Sequence, residues 1–364
     1  MIEVSWIPAH PIYGSVSMLR YWKLLEAAAL PEDRYACVPI LDADSNECWK
    51  NSGRAARFLT RKVIYPAIVK TRARSGMIHI LDHSWADLLP FTPTNSLKVV
   101  TVHDLIPLRF PGELNAAQAK RFSTWVSNLR QADAIVAVSE YTKREVMDLL
   151  GIDGNVIHVV SNGVEMPPTT PVPRDRAPGK TSAQPFRIGS IGSILERKNL
   201  SILPEAIARL QATMSRKVEL VRVGAKLPPS LVNRFQSETS AGTLTELGQL
   251  PDRELADFYA SMDAVVVPSL YEGFGLPVLE ALAWGVPVVA SQATSLPEVG
   301  GEEAIYFNPS SPSELAVRLE EIAKNGMPEG WHERAIAKAA SHSWRRSLEG
   351  VFSVYDQLMQ TRKS

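Results

Sequence analysis

Cysteine is almost absent: Cys37 and Cys48 are the only two in 364 residues. Two thiols make neither a disulfide framework nor a four-ligand metal cluster, so the fold rests on a packed core and suits a reducing compartment. A charge excess is missing too, since 39 Lys and Arg balance 39 Asp and Glu. That argues against a dedicated nucleic-acid binder, which carries a basic surplus, and no nucleic-acid partner is expected. Nor does any apolar run approach the roughly 20 residues that a membrane-spanning helix needs. The opening Ile2-Glu-Val-Ser-Trp-Ile7 reads as a strand, without the basic-then-apolar order of a secretion signal. These absences lead to the expectation of a cytoplasmic protein, soluble or held at the inner face of a membrane.

What is present is ordinary for a globular α/β protein: 45% hydrophobic and 21% charged residues, with enough length for two cores. Strand-like apolar runs at 4–7, 77–81, 98–102, 134–138 and 156–160 alternate with helical patterns, which implies parallel sheets built from βαβ units. Between Met166 and Pro185 there are six prolines and little that can be buried, the mark of a linker. The expected organisation is a first domain over 1–165, a linker over 166–185 and a second domain over 186–344. A helical tail follows Trp344, and there is no internal repeat.

The most informative stretch is Ser269-Leu-Tyr-Glu-Gly-Phe-Gly-Leu-Pro-Val-Leu-Glu280. The apolar run Ala264–Val267 before it reads as a buried strand. Gly273 and Gly275 permit a tight turn, and Pro277 suits the start of a helix running through Trp284. Strand, glycine turn and helix start together make an anion site, because unpaired N–H groups and the helix dipole point at one spot. Glu272 at its mouth and Glu280 about one turn into the helix would favour hydroxyls. A ligand with both phosphate and hydroxyls, a nucleotide sugar, fits such a place. As isolated residues the two glutamates could equally be a loop charge and a solvated helix charge.

This pattern, its Glu-Gly-Phe-Gly-Leu-Pro filling and the following Gly285-Val-Pro-Val-Val-Ala-Ser291 resemble the retaining glycosyltransferases of family 4. The resemblance implies the GT-B fold, two facing Rossmann-like α/β domains with an interdomain cleft. The first domain would bind the acceptor, with the C-terminal helix (about 345–364) crossing back onto it, and the second would bind the donor.

Three further segments follow predicted strands. Glu196-Arg197-Lys198-Asn199 lies after the glycines Gly189 and Gly192. Arg197 can fork onto two oxygens and Lys198 supplies a point charge, as a departing diphosphate requires; a surface cation pair is the bland reading. Val100-Thr-Val-His103-Asp104 closes a buried strand, and the resemblance places His103 near the reacting sugar and Asp104 at the loop or acceptor. Pro11-Ile-Tyr-Gly14-Ser15 precedes a helix over 16–30, where Ser15 can act as cap and leave N–H groups for a phosphate. Family members commonly have more glycine there. Leu247-Gly-Gln249-Leu250-Pro251 looks like the loop that meets the nucleotide base, and Ala137-Val-Ser-Glu140-Tyr-Thr-Lys-Arg144 and Val160-Ser-Asn162-Gly163-Val164 like family strand ends. His79, Asp82 and His83 could meet the acceptor or serve structure.

The resemblance thus implies a retaining hexosyltransferase that moves a hexose from a nucleoside-diphosphate sugar to a hydroxyl of a glycan or lipid-linked acceptor, in surface polysaccharide or glycolipid synthesis. Glu280 would hold the ribose, Arg197 and Lys198 the diphosphate, and Glu272 with the amides of Gly273, Phe274, Gly275 and Leu276 the sugar. Gly192 would let the phosphate approach. The alternatives are a nucleotide-sugar-binding module without transfer and an epimerase or phosphorylase on the same fold. Neither a cofactor nor a metal is expected: Asp42-Ala-Asp44 has a metal-like spacing but lies in a polar, loop-like stretch. Between Lys50 and Arg74 there are eight Lys or Arg and no acid, with Arg54, Arg57 and Arg61 sharing one face of a regular helix. That run suits contact with an anionic membrane surface, or is simply a solvated face.

Overall fold

The computed structural model describes residues 1–13, 16–41, 53–74, 76–168, 184–239 and 243–362. Gly14, Ser15, Asp42, Asp44, Cys48, Lys50 and most of the proline-rich segment lie outside the described residues. The chain divides into two compact units, one of residues 1–163 with 344–364 and one of residues 164–343.

The first unit holds β1 (Ile2–Ile7), β2 (Tyr35–Pro39), β3 (Met77–Ile80), β4 (Leu97–Val102), β5 (Ala134–Ala137) and β6 (Ile157–Val159). They form one parallel sheet in the order β2-β1-β3-β4-β5-β6. Its strands are apolar on both faces, as parallel strands covered by helices must be. Along β5, Ile135 and Ala137 join a core with Val100, Val102, Val126 and Val146, whereas Ala134 and Val136 join one on the opposite face with Val4, Trp6 and Val99. The helix Trp344–Thr361 completes that second core with Leu348, Val351 and Tyr355. Its amphipathic face is fixed by polar contacts as well. The Tyr355 hydroxyl accepts from Trp6 Nε1 at 3.0 Å, and Arg345 forks onto both oxygens of Asp33 at 2.7 Å.

The second unit holds β7 (Phe186–Gly192), β8 (Val218–Gly224), β9 (Thr243–Gly248), β10 (Ala264–Val267), β11 (Val288–Ser291) and β12 (Ile305–Phe307). All pairs are parallel, in the order β9-β8-β7-β10-β11-β12. Phe186, Ile188, Leu220, Val266 and Val289 pack there against Leu203, Ile207, Leu315 and Leu319 of two covering helices. In this doubly wound order the chain reverses direction between β7 and β10, and in the first unit between β1 and β3. Ligands of open α/β sheets bind beyond the carboxyl ends of the strands at such a reversal.

No helix among the described residues is long and apolar enough to cross a membrane.

Candidate active site

In the second unit the reversal point is also where charge gathers. β7 ends at Gly192 with φ 131°, and β8 at Gly224 with φ 123°. A side chain at Gly224 would put its Cβ 2.1 Å from the Gly192 carbonyl oxygen, so the two strand ends can close only on glycine. The buried guanidinium of Arg222 donates from Nη2 to the carbonyls of Gly192 (2.7 Å) and Ser193 (3.1 Å), holding the chain as it leaves the sheet.

The turn Glu196–Lys198 follows, and Asn199 takes a left-handed conformation at φ 53°. The Asn199 amide donates to Pro268 O (3.1 Å) and Pro309 O (2.8 Å), and Leu270 N donates to Arg197 O at 2.7 Å. These bonds pin the Arg-Lys turn against the loop after β10. Lys198 Nζ therefore lies 2.5 Å from Glu272 Oε1, and Arg197 Nη1 lies 3.9 Å from Glu272 Oε2. A Cβ at Gly192 would sit 3.6 Å from Lys198 Cε, which leaves the lysine head room beside the strand end.

Glu272 is buried and densely held. Its carboxylate accepts from Ser269 Oγ at 2.7 Å, its N–H donates to Thr294 Oγ1 at 3.0 Å, and Ser295 Oγ sits 2.9 Å from its carbonyl and 2.8 Å from that of Phe274. Burial pushes the Glu272 carboxyl up, but the Lys198 charge and hydrogen bond, the Ser269 hydroxyl and the Arg197 charge outweigh it and hold the group below its ordinary value. The site is therefore an ionised carboxylate flanked by two cations.

Beyond it, Gly275 caps the helix Leu276–Ala283 at φ 108°, where an added Cβ would meet Leu296 Cδ2 at 2.7 Å. The expected helix start at Pro277 is one residue late: the helix opens at Leu276 and Trp284 is its C-cap. In its first turn Pro277 has no N–H and Val278 N donates to the Gly275 carbonyl at 3.0 Å, and no acidic side chain occupies that turn. Phe274 is buried beside His342, so only its main chain can meet a ligand. Glu280 stands half-buried within the helix and accepts from the Tyr259 hydroxyl at 2.7 Å. Gln249 is exposed and Leu250 half-buried just after β9, which closes on Gly248 at φ 73°.

The first unit places different groups at its strand ends. His103, after β4, is buried with Nε2 2.8 Å from the Leu81 carbonyl, so that nitrogen carries the proton. Burial lowers its basicity, the imidazole is neutral, and Nδ1 is left as an acceptor. Tyr21 packs edge-on against its ring at 4.6 Å. Asp104 accepts from Ile106 N at 3.1 Å and so shapes the turn after the strand. Asp82 likewise caps its own turn through Ser84, and His83 lies edge-on to Phe122. His79 is fully buried between the Tyr355 hydroxyl (2.6 Å) and Thr101 Oγ1 (2.8 Å), a structural position.

Sequence reasoning missed Ser269, Thr294 and Ser295 around Glu272, the Asn199 clamp, Arg222, and His10, which is buried after β1 and accepts from Ile12 N. The hydroxyl pair Thr294-Ser295, beginning three residues beyond the strand end at Ser291, was a signal for the clamp on Glu272. One expectation needs correcting. Arg54, Arg57 and Arg61 do not form a common basic face, because the helix Arg54–Leu59 runs into a π turn over Thr60–Ile64 and Arg61 points inward. Its guanidinium donates to Ser84 O and to Asp87 Oδ1 (2.7 Å) and stacks over Trp125 and Trp85 at 3.5 and 4.2 Å from the ring centres.

Comparison with known proteins bears on this geometry. Residues 185–325 match the family described as glycosyl transferases group 1, and residues 53–166 match Glycosyltransferase Family 4. The O-antigen chain mannosyltransferase B of Escherichia coli is 26% identical over 346 residues, covering 88% of this chain and 87% of that protein. The serotype-specific mannosyltransferase WbdA of Escherichia coli is 29% identical over 72% of this chain, which spans only 34% of that longer relative. Among solved structures, sucrose-phosphate synthase from Thermosynechococcus elongatus superposes with a TM-score of 0.73 at 19% identity, over 99% of this chain and 100% of that one. HepE of Anabaena in complex with UDP-glucose gives 0.69 at 17% identity, with both chains covered completely.

Proposed function

We propose that this chain, which belongs to the family 4 glycosyltransferases and has the GT-B fold, moves a hexose from a nucleoside-diphosphate sugar to a hydroxyl of a glycan or lipid-linked glycan, with retention at the anomeric carbon. Mannose is the first candidate sugar, since the curated relatives above are named mannosyltransferases, and surface polysaccharide synthesis the first candidate process. The observation that carries the reading is the Arg197–Lys198–Glu272 cluster at the reversal point between β7 and β10.

As the glycosidic bond breaks, charge builds on the diphosphate. Arg197 and Lys198, held on a turn fixed by Asn199, stabilise that charge with no rearrangement at the moment of reaction. Glu272, ionised and fixed, accepts sugar hydroxyls, and the Leu276 amide at the start of the helix Leu276–Ala283 adds an N–H donor. Glu280, fixed by Tyr259, accepts the ribose hydroxyls. Gln249 and Leu250 border the base. In the first unit, neutral His103 offers Nδ1 to a sugar hydroxyl, and Asp104 keeps its loop in place. The acceptor oxygen attacks the anomeric carbon on the face the phosphate leaves. The carbon–oxygen bond to phosphate breaks, and the acceptor's proton passes to a phosphate oxygen, so the protein need supply neither nucleophile nor base. The group-transfer chemistry uses no cofactor and no metal, because the two cations carry the countercharge.

The test is a thermal-shift and calorimetric screen of UDP-, GDP- and ADP-sugars, with Glu280→Ala as control, followed by product analysis with a glycan acceptor. A shift for one nucleotide, lost in the variant, with an α-linked product from an α-linked donor, supports the reading. Donor consumption without an acceptor product would overturn transfer in favour of epimerisation or phosphorolysis.

A further inference from the structure

The π turn that buries Arg61 also changes what the rest of its segment shows to solvent. Around that turn Arg54, Ala55, Phe58, Leu59, Lys62 and Val63 stay on the solvent side. All six are exposed, and the three large apolar ones are strongly so: Phe58 65%, Leu59 50% and Val63 56%. The opposite side is anchored. Thr60, Arg61, Tyr65 and Val69 are buried, Arg61 is clamped between Asp87 and two tryptophans, and the Tyr13 hydroxyl donates to the Arg57 carbonyl at 2.8 Å. The patch is thus a rigid feature of the first unit, and nothing among the described residues covers it.

Its surroundings are of one sign. Arg54, Arg57 and Lys62 border the apolar residues, Lys70, Arg72 and Arg74 continue along the helix Tyr65–Arg72 and just past it, and all are exposed. No Asp or Glu occurs between Gly53 and Gly76, and none of Arg54, Arg57 and Lys62 makes an ion pair among the described residues. In a protein of zero net charge this is a local concentration, not a general bias.

We propose that the face formed by Arg54, Phe58, Leu59, Lys62 and Val63 docks on an anionic lipid bilayer. The apolar tips enter the boundary between headgroups and acyl chains while the cations stay with the phosphates, the arrangement that makes amphipathic surface helices bind. A second copy of the chain is a poor occupant, because a two-fold contact would set the same cations against each other. The proposal is independent of the donor chemistry and places the chain where a lipid-linked acceptor would lie.

The test is co-sedimentation of the full chain with phosphatidylcholine vesicles and with equimolar phosphatidylcholine–phosphatidylglycerol vesicles. The chain should pellet with the anionic vesicles alone and be released by salt. Phe58→Glu with Val63→Glu should weaken that partitioning at least about tenfold, and Arg57→Glu about tenfold. Both variants should keep wild-type melting temperature and nucleotide binding, since the altered side chains are exposed. Wild-type protein that stays in the supernatant with both vesicles, or a double variant that binds as the wild type does, would overturn the proposal. So would a wild-type dimer in analytical ultracentrifugation that the double variant abolishes, because the patch would then belong to a second copy.

Discussion

Beyond β7 and β10 of the second unit, ionised side chains meet on turns that the main chain holds in place; in the first unit, His79 within β3 and His103 after β4 are buried, neutral imidazoles beside aromatic rings, and Asp82 and Asp104 cap their own turns. Lys198 and Glu272 approach to 2.5 Å because Asn199, Ser295 and two glycine-closed strand ends leave their loops one conformation. His103 and His79 are positioned by side-chain packing and single hydrogen bonds to Leu81, Thr101 and Tyr355. Charge fixed by backbone suits a group whose own charge changes during reaction. A neutral, half-apolar wall suits hydroxyls, which need orientation more than countercharge. The contrast predicts different failures for the two units.

The largest effect should come from Arg197→Ala, which removes a fixed cation from the side of the site proposed to hold the diphosphate. We expect a loss of about 10²–10³ in kcat at saturating donor, with a melting temperature close to wild type. Equal turnover in the variant would show that Lys198 alone carries the leaving-group charge, and the paired-cation reading would fall.

Gly275→Ala should come next. It forces a side chain onto φ 108° and drives its Cβ to 2.7 Å from Leu296 Cδ2. A destabilisation of about 3 kcal/mol is expected, confined to the second unit, together with weaker nucleotide binding as the helix start shifts. Limited proteolysis and urea melts would read it. Wild-type stability in this variant would mean the turn is not the rigid element the comparison requires.

Acid should separate the units in the opposite sense. Burial lowers His79 from 6.5 to about 3 and His10 from 6.5 to about 4, so both bind fewer protons folded than unfolded. Stability is therefore lost from the first unit as pH falls below 6.5, by roughly 2 kcal/mol at pH 5 from His79 alone. Glu272, held below its ordinary 4.5, keeps its contribution until the pH falls below that value. Hydrogen exchange, corrected for intrinsic rate and resolved by unit, should show the first unit opening earlier between pH 6.5 and 5. Equal loss in the second unit would remove the distinction.

The same contrast decides what the residues alone made legible. Glu272, Glu280, Arg197 and Lys198 could be read because each sits in a short run where glycine and proline announce the backbone that places it. The alternation of apolar runs likewise gave parallel sheets, since a buried parallel strand needs apolar residues on both faces. What escaped was set by contacts distant in the chain. Ser295 reaches Glu272 from 23 positions away, and Asn199 bonds Pro309 from 110 away. Arg61 was misplaced for a related reason: regular helical spacing put it with Arg54 and Arg57, whereas a π turn and a cage of Trp85, Trp125 and Asp87 drew it inward. Local sequence does not encode a cage supplied by two later segments, the turn His83–Phe91 and the helix Ala116–Ser127.

The smallest expected effect tests whether the second unit's order extends past its charged centre. Tyr259 is buried and its hydroxyl donates to Glu280 at 2.7 Å. Tyr259→Phe keeps the ring and removes that bond, so the fold should hold while Glu280 gains rotamer freedom. A single hydrogen bond to a charged group that is half in solvent contributes on the order of 1 kcal/mol, which predicts a several-fold rise in KM for the donor with kcat unchanged. A KM effect of that size ties Glu280 to ground-state binding of the nucleotide, apart from the leaving-group cations whose loss lowers kcat. An unchanged KM would mean that Glu280 does not depend on Tyr259 for its position, and preorganisation of the second unit through that bond would then stop at Glu272.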